Sequence, residues 1–522
     1  MRDFHQPGRS AVYADQGMCA TSHPLAAQAA IFVLQKGGNA VDAAIAGAVL
    51  LGICEPQSTG IGGDMFALVA QPDGEIIGLN GSGRAAAGLD ADAIRAHHDT
   101  MPLYDISAVT IPGAVDGFCR LHADHGQLPL ADVLAPAIHY ADAGVPIAPR
   151  VALDYATSGE VLQGAGRKHF LQDDKPLPMG ARFKAPGQAE VLRRIAAKGR
   201  AGFYEGEVLD DMLSSLKALG GTHTAEDFAK TACEYVTPLR STYRDAELIE
   251  LPPNGQGAAA MLILNMLETY APQDDPFGAQ RAHLEAEATK LGYDARDRFL
   301  ADPGHVTKLD HMLSKDTAMS LAAMIDPDEA MDDPRAASDN IHKDTVYITV
   351  VDKDRRAVSL IYSVFHSFGS GFASDKFGIL FQNRGGGFTL KKGHPNEAGP
   401  GKRPMHTIIP GMLKLSDGSL MPFGVMGGAW QSTGHARFVS NVVDYGMNPQ
   451  AAIDAPRAFA EAGEVKVERG YGPEMRSAME GKGHKLMTPV QPIGGAQAIR
   501  IHPDGLLEGG SDPRKDGIAL GY

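Results

Sequence analysis

Lys343-Asp344-Thr345-Val346-Tyr347-Ile348-Thr349-Val350-Val351-Asp352 changes character at a single bond. A polar run ends at Asp344, and from Thr345 onward the residues alternate as in a β-strand. Cut between Asp344 and Thr345, the chain would present a threonine as a new amino terminus at the head of that strand. Such a residue carries both parts of a nucleophile, because its hydroxyl attacks and its own α-amine takes the proton. Threonine is common in strands, so the rest of the chain has to single this one out.

Size and composition remove several classes. At 522 residues the chain exceeds one small domain, although large α/β units reach this length. A net charge of −15 argues against a nucleic-acid surface and against docking on anionic lipid, so no nucleic acid and no membrane partner is expected. Cys19, Cys54, Cys119 and Cys233 lie far apart without metal-binding spacing, and read as reduced core residues. His366 and His406 are isolated and there is no HExxH, so neither metal nor cofactor is expected. Gly369-Ser370-Gly371 lacks the full spacing of a serine nucleophile elbow. No P-loop or GxGxxG fingerprint follows a strand. The first residues have no apolar core of a signal peptide, and the longest apolar run, near Ala43–Ile53, is too short to span a bilayer. A cytoplasmic location is the expectation.

Two helices are predicted between residues 23 and 53, opened by His23-Pro24 and broken at Gly37-Gly38-Asn39-Ala40. The second is apolar almost all round and should be buried. A Gly-rich turn and strand follow over Ser58–Val69, with a hairpin partner at Glu75–Gly81. Residues of about 120–340 read as a helical layer with surface insertions, including helices at Gln188–Lys198, Ala258–Tyr270 and Ala279–Arg298. Asp326–Asn340 is rich in Asp and reads as a mobile acidic loop. After Thr345 come strands at Thr345–Val351, Ala357–Val364, Gly378–Gln382, Gly411–Leu415, Met421–Val425 and Gln497–Ile501, and a helix at Gly434–Asp444. Strands and helices on both sides of the junction suggest stacked sheets covered by helices.

At this point the motifs match a family. His23-Pro24-Leu25-Ala26, Gly37 through Ala44, Ser58-Thr59-Gly60-Ile61-Gly62-Gly63-Asp64, Pro112 through Phe118, Asp344-Thr345, Phe368-Gly369-Ser370-Gly371, Pro404 through Pro410 and Gly427-Gly428 stand in the order and spacing of that family. From about residue 9 to 520 the chain resembles the γ-glutamyltranspeptidase (glutathione hydrolase-like) family of N-terminal nucleophile hydrolases. The resemblance implies an α/β (α+β) fold, a four-layer αββα sandwich. It implies self-cleavage before Thr345 into a large subunit of residues 1–344 and a small catalytic subunit of residues 345–522, associated as one folded unit; a dimer of such pairs is open. The implied activity is hydrolysis or transfer of a γ-glutamyl group from glutathione or a related amide, through an acyl-enzyme on Thr345, to water or to an amine or peptide acceptor. Gly427 and Gly428 match the family's oxyanion-hole glycines, and Ser363 falls on a second hydroxyl beside the nucleophile.

The match departs where γ-glutamyl enzymes grip their substrate. The acidic position that holds the glutamyl amine falls on Gly387, and the polar residue before it becomes Arg384. An amide-bearing position is taken by Phe365, and a pair of serines falls on His406 and Thr407. The family's carboxylate-binding arginine has no clear counterpart; Arg84 is the nearest candidate, since a guanidinium grips a carboxylate bidentately. These changes leave open an acylase or amidohydrolase acting on a non-γ-glutamyl acyl amide. An unprocessed, non-catalytic binding protein is the alternative of another class.

Overall fold

The structure is a computed structural model that describes residue 5 and residues 8–332 and 345–522. Asp344 and the part of the acidic loop from residue 333 to 340 lie outside the described residues.

Two seven-stranded, antiparallel sheets stack face to face. The first runs in the order Ile518–Gly521, Met18–Thr21, Val346–Val351, Ala357–Ser363, Asp64–Ala70, Ile76–Gly81, Glu234–Val236. The second runs Val12–Ala14, Leu507–Ser511, Gly495–Ile501, Leu420–Met426, Pro410–Lys414, Ala246–Glu250, Leu239–Tyr243. Their facing sides share a core that includes Phe66, Tyr347, Ile361, Met412 and Ile499. Helices cover both outer faces, which makes the four-layer αββα sandwich that the motifs predict. Each sheet mixes strands from before and after the expected junction.

The helices on the first sheet form as their sequence dictates. Pro24 sits in the first turn of Pro24–Gln35, where its missing N–H costs nothing. Asn39 and Asp42 close a reciprocal capping box at the start of Ala40–Cys54. All fifteen residues of that second helix are buried, as its all-round apolar sequence requires. Its first turn is tied to the end of the Thr345 strand, because Asp352 Oδ2 accepts from Ala40 N at 2.9 Å.

The helices near 188, 258 and 279 are present, at Pro186–Lys198, Gly257–Leu267 and Ala279–Phe299. Three readings need correction. The middle of the chain is not only helical: Glu234–Val236, Leu239–Tyr243 and Ala246–Glu250 are strands that extend both sheets at their edges. Gly378–Gln382 is not a strand; its backbone bonds go to loop partners, Phe381 N to Phe372 O (2.9 Å) and Gln382 N to Gly62 O (3.2 Å). The helix after Gly427-Gly428 begins earlier, at Gln431. All four cysteines are free. Among the described residues no helix is long and apolar enough to cross a membrane.

Candidate active site

The register of three adjacent strands builds the site. Val346 pairs with Tyr362, which sets Thr345 opposite Ser363; Ser363 in turn pairs with Asp64 on the next strand. Thr345, Ser363 and Asp64 therefore form one row across the same end of the sheet, and all three are buried. Thr345 Oγ1 lies 3.4 Å from Ser363 Oγ, in position to donate to it. The same Ser363 oxygen accepts from Phe365 N at 2.8 Å and lies 3.4 Å from Arg384 Nη2.

Arg384 is thus one hydroxyl away from Thr345. It is fully buried, with Nη1 donating to Thr407 Oγ1 at 3.1 Å and the guanidinium carbon 4.1 Å from the centre of the Phe365 ring. Its Nε–H has no partner, and no carboxylate lies within ion-pair distance among the described residues. A buried cation without a counter-charge is costly. Burial pulls its pKa down to about 9, with the charge of Asp64 working in the opposite sense.

Asp64 is the residue the sequence reading missed. Its Oδ1 accepts from Gly83 N (2.8 Å), Gly113 N (3.1 Å) and Gln382 Nε2 (2.8 Å), and its Oδ2 accepts from His406 Nε2 at 3.2 Å. Burial, with the Arg384 charge adding to it, pushes His406 down to about 3. The ring is neutral, and the bond to Asp64 fixes its proton on Nε2.

Gly387 closes the short 3₁₀ turn that starts at Arg384. A Cβ at this position would come 2.5 Å from the Met405 carbonyl oxygen, so the backbone leaves no room for a side chain. Arg84 is not brought to the site. It is partly exposed, and its guanidinium is spent on Asp302 and Glu234, each at 3.2 Å, and on the Gly401 carbonyl at 3.1 Å. Its expected contact with substrate is therefore withdrawn.

On the other side of Thr345 lies a cavity of about 250 Å³. Gly427, Ala429 and Trp430 form one wall, and Phe459, Lys466 and Met487 of a small three-stranded sheet form another. Pro489–Gly494 close the rim. Lys515 lines this cavity although it is only 5% exposed, and its ammonium has no ion-pair partner among the described residues. Phe365, Arg384, His406 and Thr407 do not line it. They are sealed off in the continuous chain.

The strand Leu420–Met426 runs into Gly427 and Gly428 at φ of 122° and 57°, the left-handed region that side chains disfavour. Neither backbone N–H has a partner among the described residues. Gln256, also missed in the sequence, holds this turn. Its Nε2 donates to Gly428 O at 2.9 Å and to Thr407 O at 2.7 Å, while its Oε1 accepts from Arg296 Nη1 at 3.0 Å. The turn and the Thr407 loop are thereby fastened to one side chain.

Stacked antiparallel sheets between helical layers, with a buried threonine at the head of a central strand, define the class of N-terminal nucleophile amidohydrolases and transpeptidases. Within it, residues 26–522 match the family described as Gamma-glutamyltranspeptidase, and the chain belongs to that family. It is 35% identical over 519 residues to a glutathione hydrolase-like YwrD proenzyme of Bacillus subtilis (strain 168), covering 97% of this chain and 98% of that one. It is 32% identical over 526 residues to an oxamate amidohydrolase proenzyme of Klebsiella pneumoniae, with 97% and 98% covered. A solved cephalosporin acylase from Bacillus halodurans superposes with a TM-score of 0.92 at 37% identity, covering 100% of this chain and 99% of that one.

Proposed function

We propose that this protein is a self-processing amidohydrolase with Thr345 as nucleophile, acting on amides whose acyl chain carries a carboxylate and needs no free α-amine. The observation that carries the reading is Arg384, a buried guanidinium with no ion-pair partner among the described residues, one hydroxyl from Thr345. A substrate carboxylate would supply the missing charge, and two N–H donors of one guanidinium match its two oxygens. Gly387 has no space for an acid and Phe365 brings no polar group, so neither of these two positions offers a group to hold the ammonium of a γ-glutamyl chain. Oxamate, for which one relative is named, is an amide whose acyl carbon bears a carboxylate.

Cleavage between Asp344 and Thr345 frees the α-amine. Model α-amines titrate near ~8, so a useful neutral fraction exists at physiological pH. The amine takes the hydroxyl proton as Oγ1 attacks the amide carbon. The N–H groups of Gly427 and Gly428 receive the oxyanion, and they need no reorganisation because the turn is already fixed by Gln256. The proton passes to the leaving amine, the C–N bond breaks, and water then attacks the ester to release the acid. The leaving group departs through the 250 Å³ cavity.

The second reading is γ-glutamyl hydrolysis or transfer, which membership of the family favours. A panel of p-nitroanilides separates the two. Glutaryl anilide should turn over faster than γ-glutamyl or butyryl anilide. Arg384→Met should lower kcat/KM for the glutaryl substrate by about 100-fold while sparing butyryl, the usual loss when one partner of a buried charge pair is removed. A preference for γ-glutamyl, or an equal loss on all three substrates, would overturn the reading.

A further inference from the structure

Well away from the row at Thr345, three buried metal-binding side chains meet. His283 and Glu287 sit one turn apart on the helix Ala279–Phe299, and His484 lies just after the helix Pro473–Gly481. Their donor atoms all fall within 4.8 Å of one another. His283 Nδ1 faces His484 Nε2 at 2.8 Å, and His484 Nε2 is 3.9 Å from Glu287 Oε1.

We propose that His283, Glu287 and His484 form a binding site for a borderline divalent cation such as Zn²⁺, joining the two parts of the chain that flank the processing junction. Two imidazole nitrogens and one carboxylate oxygen are a donor set that suits such an ion, with a fourth position left to water. The tautomer is already set. His283 Nε2 lies 2.8 Å from the carbonyl oxygen of Asp326, which can only accept, so Nε2 carries the proton and Nδ1 presents a lone pair inward. A backbone carbonyl on the outer nitrogen is the usual way to orient a histidine ligand. With His283 Nδ1 as the acceptor, the proton in its 2.8 Å contact belongs to His484 Nε2, and an entering ion takes that proton's place.

The surroundings also set the cost. On one tetrahedral ion, metal–nitrogen bonds of ~2.0–2.1 Å put the two nitrogens ~3.3 Å apart, so the rings must part by about half an ångström. Lys290 Nζ donates to Glu287 Oε1 at 2.8 Å, and the ion enters against that charge and the charge of Lys482. Lys290 also donates to Met331 O at 2.7 Å, and Met331 N donates to Glu287 Oε2 at 2.9 Å. The cluster therefore pins both ends of the segment 326–331, the last described stretch before the junction. A bound ion would fasten that segment, the long helix and His484 together.

The test uses the full chain, stripped with EDTA and reloaded with ZnCl₂ or CoCl₂. The expected results are one Zn²⁺ retained per chain after desalting, visible d–d absorption with Co²⁺, and a Tm raised by about 2 °C at saturating metal. His484→Ala should lose all three. Lys290→Met should tighten Zn²⁺ binding by about tenfold, since it removes an opposing charge close to the ion; a purely structural network would give no gain. Wild-type protein that retains no Zn²⁺ and shows neither Co²⁺ bands nor a Tm shift would overturn the proposal without recourse to any variant. So would retention undiminished in His484→Ala.

Discussion

On one side of Thr345 stands Arg384, fully buried and held by two hydroxyls and an aromatic face. On the other is a cavity of about 250 Å³ with an indole, a small sheet and a loop for walls. Each side holds a cation without an ion-pair partner among the described residues, but the settings differ. Arg384 has a fixed geometry in a dry environment, where one charge discriminates strongly between ligands. Lys515 lines an open space on a flexible stem, where shape and apolar contact carry more of the selection. The contrast teaches where specificity should be sharp: on the acyl half of the substrate, not on the departing amine.

The severest way to break the contrast is to remove what both sides share. Thr345→Ala should lower activity by about 10⁴-fold or more on every anilide, and a denaturing gel should show one persistent full-length band. Two fragments from that variant would remove Thr345 from the processing chemistry. Next in size is the turn between the sides. Gly427→Ala places a side chain at φ 122° with its Cβ 3.0 Å from Gly494 Cα, so the turn must shift. Loss of a preorganised donor typically costs ~10²–10³-fold in kcat. KM should change little on either half of the substrate, and a large KM change with kcat preserved would mean that Gly427 serves binding instead.

The smallest effect concerns the dryness of the acyl side. His406 titrates near 3 when folded, against ~6.5 when unfolded. Below the upper value the unfolded chain binds a proton that the folded chain refuses. Stability present at pH 7 is therefore lost as pH falls through this window, by about 2 kcal/mol at pH 5. Chemical denaturation of wild type and His406→Gln at pH 7 and pH 5 measures it. Equal slopes for the two proteins would mean that the acyl side is wetter than its burial indicates.

Much of this was legible in the chain because the signals are local. The paired helices of 24–54 announce themselves by capping residues and apolar content, and the Thr345 hairpin by its alternation. Glu234–Val236 and Leu239–Tyr243 were missed because they are half-exposed edge strands, the second with three polar residues in a row, Arg240, Ser241 and Thr242, that break the alternation; Ala246–Glu250, buried beside it, is too short to stand out alone. Gly378–Gln382 has the composition of a strand, but its neighbours in space are loops. Of the residues gathered around the candidate site, Thr345, Ser363, Gly427 and Gly428 were named from the motifs. Asp64 and Gln256 were not, because each acts by gathering groups that are remote in sequence. The glycines before Asp64 and the Asn254-Gly255-Gln256-Gly257 turn are the only local traces of them. Arg84 shows the reverse case, a plausible residue type that its own neighbours had already claimed.

The strand order has a last consequence. If the junction is cut, Val346–Val351 keeps Met18–Thr21 as one neighbour, and Ala357–Ser363 keeps Asp64–Ala70. In the other sheet Pro410–Lys414 stays zipped to Ala246–Glu250. The break behaves like a nick in an annealed duplex, severing continuity without freeing either piece. To part the pieces would unzip both sheets at once, so the mature protein should hold together without a covalent link. Once denatured, its halves must find each other by collision, and recovery of the fold would then depend on concentration in a way that the uncut chain never experiences.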